Sequence, residues 1–144
     1  MAQDEQLKLV ALHGHWCVAD AVRHHLRHST EAERARAGLH ADPAQLAAHM
    51  SVFYVLTVWY ALLYVVVEGY TELRCRDSAV DALLAQDGMR DALRLFRNAT
   101  FHYQQEPISP KMMRFLEMDD GADWARKLNS ALKAFFEGAL DIRG

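Results

Sequence analysis

Arg97, Asn98 and His102 stand within six residues of one another, and Arg90 and Arg94 precede them at helical spacing. On a helix from Met89 to about Tyr103, turning about 100° per residue, Met89, Ala92, Leu93, Phe96, Ala99, Thr100 and Tyr103 fall on one apolar arc. Asn98 and His102, four residues apart, share the opposite face, with Arg97 at the border and Leu95 and Phe101 flanking the pair. Arg90, Arg94 and Arg97 form one edge of the helix. Between Gly88 and Leu116 five basic residues (Arg90, Arg94, Arg97, Lys111, Arg114) meet two acidic ones (Asp91, Glu106), a local charge of +3 in a chain of net −3, so the remainder carries −6. A basic strip on an acidic protein suits a phosphate-containing ligand. The competing reading is a solvated arginine face.

The elements that must position these residues read as an all-α bundle of four long helices plus short ones, in one domain spanning residues 1–144. The chain is 51% hydrophobic and 24% charged, an ordinary globular balance, and only three prolines and seven glycines interrupt it. The first helix is expected from about Gln6 to His28, with Leu7, Val10, Ala11, Gly14, Cys17, Val18, Ala21 and Val22 as its core stripe. Thr30 to Glu33 reads as a capping box opening a short charged helix that stops at Gly38. Asp42-Pro43-Ala44-Gln45 is a strong start signal for a second helix reaching Leu73. Ser78 to Asp81 reads as another capping box, and Asp87-Gly88 as a break before the motif helix. Ser109-Pro110 starts a short helix through Glu117, Asp119-Asp120-Gly121 stops it, and Trp124 to Leu140 forms the last helix.

Arg97-Asn98-Ala99-Thr100-Phe101-His102, late in the third long helix of a small bundle, resembles the Arg-x4–6-His signature of HEPN domains. The resemblance implies a HEPN-like bundle acting as a metal-independent endoribonuclease of the toxin or phage-defence type. It implies a homodimer whose two motifs face each other across a composite cleft. It also implies an RNA substrate and leaves room for an antitoxin or regulatory protein partner. His102 would accept the ribose 2′-OH proton or protonate the 5′-oxygen leaving group, and Arg97 would clamp the scissile phosphate. Asn98 would orient His102 or donate to a phosphate oxygen, while Arg90, Arg94 and Tyr103 would bind substrate. No cofactor is expected. In the toxin subgroup a tyrosine follows two residues after the histidine; here that position is Gln104, with Tyr103 next to His102 instead. The alternative is a non-catalytic HEPN-like module that binds a nucleotide or a partner, or simply dimerises.

Four further features need a reading. Val52 to Val67 is apolar except for Thr57, short of the about 20 residues a bilayer span needs, and reads as a buried bundle helix. Its surplus of apolar faces favours a homodimer built on the second and third long helices. Glu68, closing that run on one face with Thr57, Ala61 and Tyr64, calls for a cation, with Arg97 or Arg94 as candidates, or points to solvent. His13, His15, His24, His25 and His28, with Asp20 near, tempt a metal reading but suit solvated or edge histidines better. Arg23 and His28 repeat the Arg/His spacing without the asparagine. Cys17 reads as a small core residue, two cysteines make no disulfide framework, and the N-terminal residues carry no leader, so a cytoplasmic protein is expected.

Overall fold

The computed structural model describes residues 2–36, 43–106 and 108–142. Those residues form six helices and no strand: α1 (Gln3–Arg36), α2 (Pro43–Glu72), α3 (Ser78–Leu84), α4 (Met89–Phe101), α5 (Pro110–Leu116) and α6 (Gly121–Ala139). The all-α class is that read from the sequence. The stop read at Gly38 and the Asp42 cap lie outside the described residues.

α2 is the central element, packed against α1, α4 and α6. By length and composition, Ser51–Glu72 could cross a membrane. In the fold, its Trp59, Tyr60, Leu63, Val66, Val67 and Tyr70 are buried in the core. A helix apolar on nearly all sides fits that central place, because three neighbours can cover it. Half of the run from Val52 to Val67 is thereby buried within the chain. α1 runs antiparallel to α2: Leu12 lies against Gly69, while Val18 and Val22 share a groove with Val55 and Val58. A Cβ at Gly69 would collide with the Leu12 side chain, so glycine permits the close approach.

α1 departs from the sequence reading in two ways. It runs unbroken through Thr30 to Glu33, where a newly capped helix was expected. Glu and Ala in that stretch are good helix formers, so nothing there forces a stop. Its buried face is Leu9, Leu12, Trp16 and Ala19, almost opposite the predicted stripe. Leu7, Val10, Cys17 and Val18 are exposed instead. Burying an indole and two leucines removes more apolar surface from water than burying glycine, alanine and cysteine. On that face Asp20 Oδ1 accepts from the Asn129 side-chain amide of α6 at 3.2 Å, whereas the buried Trp16 Nε1 has no hydrogen-bond partner among the described residues.

The α2 C-terminus closes with Arg74 in the left-handed region, φ 56°. The Arg74 amide donates to Thr71 O and the Cys75 amide to Tyr70 O, both at 3.0 Å, which satisfies two terminal carbonyls. Arginine at this glycine-favouring position costs about 1 kcal/mol. α3 is capped by Asp77, whose carboxylate accepts from the amides of Ala79 and Val80 at 3.0 Å. The box read at Ser78 is thus shifted by one residue, because Asp77 is the residue in extended conformation there. Gly88, φ 76°, supplies the turn into α4. α6 begins at Gly121, three residues before the expected Trp124, and buries Trp124, Leu128, Leu132 and Phe136 at four-residue intervals. The Trp124 indole N–H donates to Leu83 O at 2.8 Å and ties α6 to α3.

Candidate functional site

α4 buries Ala92, Leu93, Phe96 and Ala99. Phe96 meets Tyr60 of α2 edge-on, with ring centroids 5.4 Å apart, and Phe115 of α5 at 6.0 Å. This packing fixes the rotation of α4 and sets its arginine edge beside α2. Tyr64, Glu68 and Thr71 of α2 then face Arg97 and Arg90 of α4, with the two helices antiparallel.

Arg97 is held on three sides. Its Nη1 donates to Glu68 Oε2 at 2.6 Å, its Nε donates to Asn98 Oδ1 at 2.9 Å, and its guanidinium lies 4.8 Å from the centre of the Tyr64 ring. The Arg97 side chain is 21% exposed and that of Glu68 51%, so the pair sits at the edge of solvent. Of the two candidate cations for Glu68, Arg97 is the partner. Arg94 pairs instead with Asp91 at 2.7 Å, and Arg114 of α5 reaches the other Asp91 oxygen at 3.1 Å. The hydrogen bond from Arg94 holds the Asp91 carboxyl below its ordinary range, and Asp91 in turn raises Arg94. Arg90 Nη2 donates to Thr71 Oγ1 at 2.8 Å.

His102 is placed differently from the sequence reading. α4 ends at Phe101, and His102 is its C-cap in extended conformation, φ −116° and ψ 144°. It therefore does not share a helical face with Asn98. Among the described residues no hydrogen bond or ion pair joins the His102 ring to Arg97 or Asn98, and His102 is exposed. Tyr103, expected on the apolar arc, is 92% exposed because the helix stops before it. Phe101 is 50% exposed, and Leu95 is half-buried. The carbonyls of His102 and Tyr103 accept from the Gln104 side chain at 3.3 and 3.2 Å.

The structure thus brings together Arg97, Asn98 and Glu68, sets Arg90 and Arg94 along the same edge, and leaves His102 and Tyr103 just beyond it. Sequence reasoning placed Tyr64 only on the face of Glu68; its contact with Arg97 depends on the crossing of α2 and α4. It missed Thr71 as a support for Arg90, although Tyr64, Glu68 and Thr71 recur at helical spacing.

Among the described residues no group of three metal-ligating side chains occurs. In the N-terminal histidine stretch, His24 Nε2 lies 3.3 Å from Asp20 Oδ2, and His13 stacks on Trp16 with ring centroids 5.9 Å apart. In comparisons with known proteins, no family model, no curated protein and no solved structure matches this chain.

Proposed function

We propose that the C-terminal end of α4 is the active site of a metal-independent, HEPN-like endoribonuclease of the toxin or phage-defence type, acting on cytoplasmic RNA. The observation that carries this reading is the fixed guanidinium of Arg97 in the last turn of α4, followed by an exposed histidine released from the helix at His102. A guanidinium oriented in advance costs little to place against a phosphodiester and stabilises negative charge on the phosphate oxygens. One histidine takes the proton from the ribose 2′-OH, whose oxygen forms a bond to phosphorus. The bond from phosphorus to the 5′-oxygen breaks, and that oxygen receives a proton. The products are a 2′,3′-cyclic phosphate and a 5′-hydroxyl.

A second copy of the chain, set against the exposed end of α4 at Phe101 and Tyr103, would supply the second Arg97 and His102 of a composite cleft. Arg90 and Arg94 bind phosphates along the approach, and Asn98 fixes Arg97 as well as offering its own amide. The test is a cleavage assay on mixed RNAs with and without EDTA, comparing the wild type with His102→Ala. Cleavage that survives EDTA and is lost in the variant supports the proposal.

The second reading is a non-catalytic module that binds a nucleotide or protein partner at the same place. It is favoured by the Glu68 carboxylate, which already matches the Arg97 charge, and by the missing bond between His102 and Arg97. Thermal stabilisation by nucleotide without any turnover of RNA would select it.

A further inference from the structure

We infer that the cleft between the α2–α3 turn and the start of α4 is a phosphate subsite, in which Arg74, Arg76 and Arg90 hold a phosphate of the chain cut at Arg97. This inference rests on the RNA reading of the α4 end and adds residues that reading does not contain. The cleft has a volume of about 390 Å³, and three arginines line it. Two come from the turn after α2 and one from the first turn of α4, so the fold, and no single segment, gathers them.

The only carboxylate among its lining residues is Asp81, and that group is engaged. Asp81 Oδ1 accepts from the buried Tyr70 hydroxyl at 2.7 Å, and Arg76 Nη1 stands 3.9 Å from its other oxygen. Burial, then the bond to Asp81, raise the Tyr70 hydroxyl well above its ordinary pKa, so it remains a donor to Asp81. Arg90 is braced by Thr71, which also lines the cleft. Arg74 occupies a left-handed position where glycine is the least strained residue, so backbone geometry does not account for an arginine there.

The cleft also leads toward the candidate site. A neighbouring cleft of about 440 Å³ shares Arg90, Leu84 and Ala85 with it and adds Tyr64, Arg94, Asp87 and Asp91, the last of these already paired with Arg94 and Arg114. From Arg90 to Arg97 the helix rises by about 10 Å. The arginines thus follow a path, which fits a chain of phosphates better than a single ion. On the other side of the turn Arg74 and Arg76 also border a cleft lined by Lys8, Glu5 and Glu72.

The probe is a fluorescein-labelled 2′-O-methyl hexauridylate, which offers phosphates but no 2′-hydroxyl to attack, so binding is read without cleavage. Its affinity for the full chain is followed by anisotropy at several salt concentrations. The Arg74→Gln/Arg76→Gln double variant should bind about ten-fold more weakly. Its log–log salt slope should fall by about 0.7, the counterion release of one single-strand phosphate contact. Lys127→Gln/Lys133→Gln on α6 should bind as wild type, and all variants should melt alike. A double variant with wild-type affinity and slope overturns the subsite. So does an arginine-dependent affinity for ADP with none for the hexauridylate, since the cleft would then hold free nucleotide. If wild type cuts no RNA but the hexauridylate still needs Arg74 and Arg76, the ribonuclease reading fails and the subsite stands. If wild type cuts RNA and the double variant binds normally, the subsite alone fails.

Discussion

Glu68 of α2 accepts a hydrogen bond from Arg97 of α4 across 2.6 Å, and this ion pair connects the candidate site to the central helix of the bundle. With Glu68 half exposed, the pair contributes no more than about 1 kcal/mol. Glu68→Gln should therefore shift the midpoint of urea unfolding only slightly. Arg97→Ala removes three contacts at once and leaves Glu68 and Asn98 without their partner, so its stability loss should be the larger, about 1 to 2 kcal/mol. RNA cleavage by Arg97→Ala should fall about 10²–10³-fold. Equal stability losses in the two variants would show that Glu68 alone carries the contact.

His102 is exposed and beyond the helix, so truncation opens no cavity. His102→Ala should melt as wild type while losing about 10²–10⁴-fold of RNA cleavage. His28→Ala, at the second Arg/His spacing, should cut as wild type. EDTA should leave rate and products unchanged. A His102→Ala protein that cuts normally points to the non-catalytic reading.

Asp91 bridges Arg94 and Arg114 and so joins α4 to α5. Its folded-state pKa is depressed below the ordinary 3.8. The stabilisation is thus present above that ordinary value and is lost as pH falls through the depressed one. Near neutrality, Asp91→Asn should release both arginines and tighten RNA binding in an anisotropy titration. Unchanged or weaker binding would mean that Arg94 does not meet phosphate.

The proposed homodimer is assigned to the exposed end of α4. Phe101→Ser at the end of α4 should yield a monomer in sedimentation at tens of micromolar, with a normal fold. If Val18→Lys on the exposed strip of α1 dissociates the dimer and Phe101→Ser does not, the composite cleft at α4 is ruled out.

Asp77 accepts two amides at the start of α3, whereas Ser78 lies inside the helix. Asp77→Ala should cost about 1 kcal/mol in chemical denaturation, and Ser78→Ala close to nothing. The reverse order would return the cap to Ser78.

The all-helical class and most helix starts were legible from sequence because they depend on local chemistry. Pro43 and Pro110 fit a first turn, Gly88 supplies a left-handed turn, and apolar residues at three- and four-residue spacing mark the arc of α4. The pairing of α4's arginines was only half legible: local spacing shows that Arg90, Arg94 and Arg97 share an edge, but not what stands opposite. Tertiary structure decided what required comparing surfaces. α1 carries apolar residues on two opposite faces, and periodicity cannot rank them. The packing against α2 and α6 buried the side with Trp16 because more apolar surface leaves water there, and because Asn129 satisfies Asp20. The end of α4 at Phe101 likewise separated His102 from Asn98, since four-residue spacing places two side chains together only while the helix continues. The choice of Arg97 for Glu68, and the gathering of Arg74 and Arg76 with Arg90, came from the crossing of helices whose residues lie far apart in sequence.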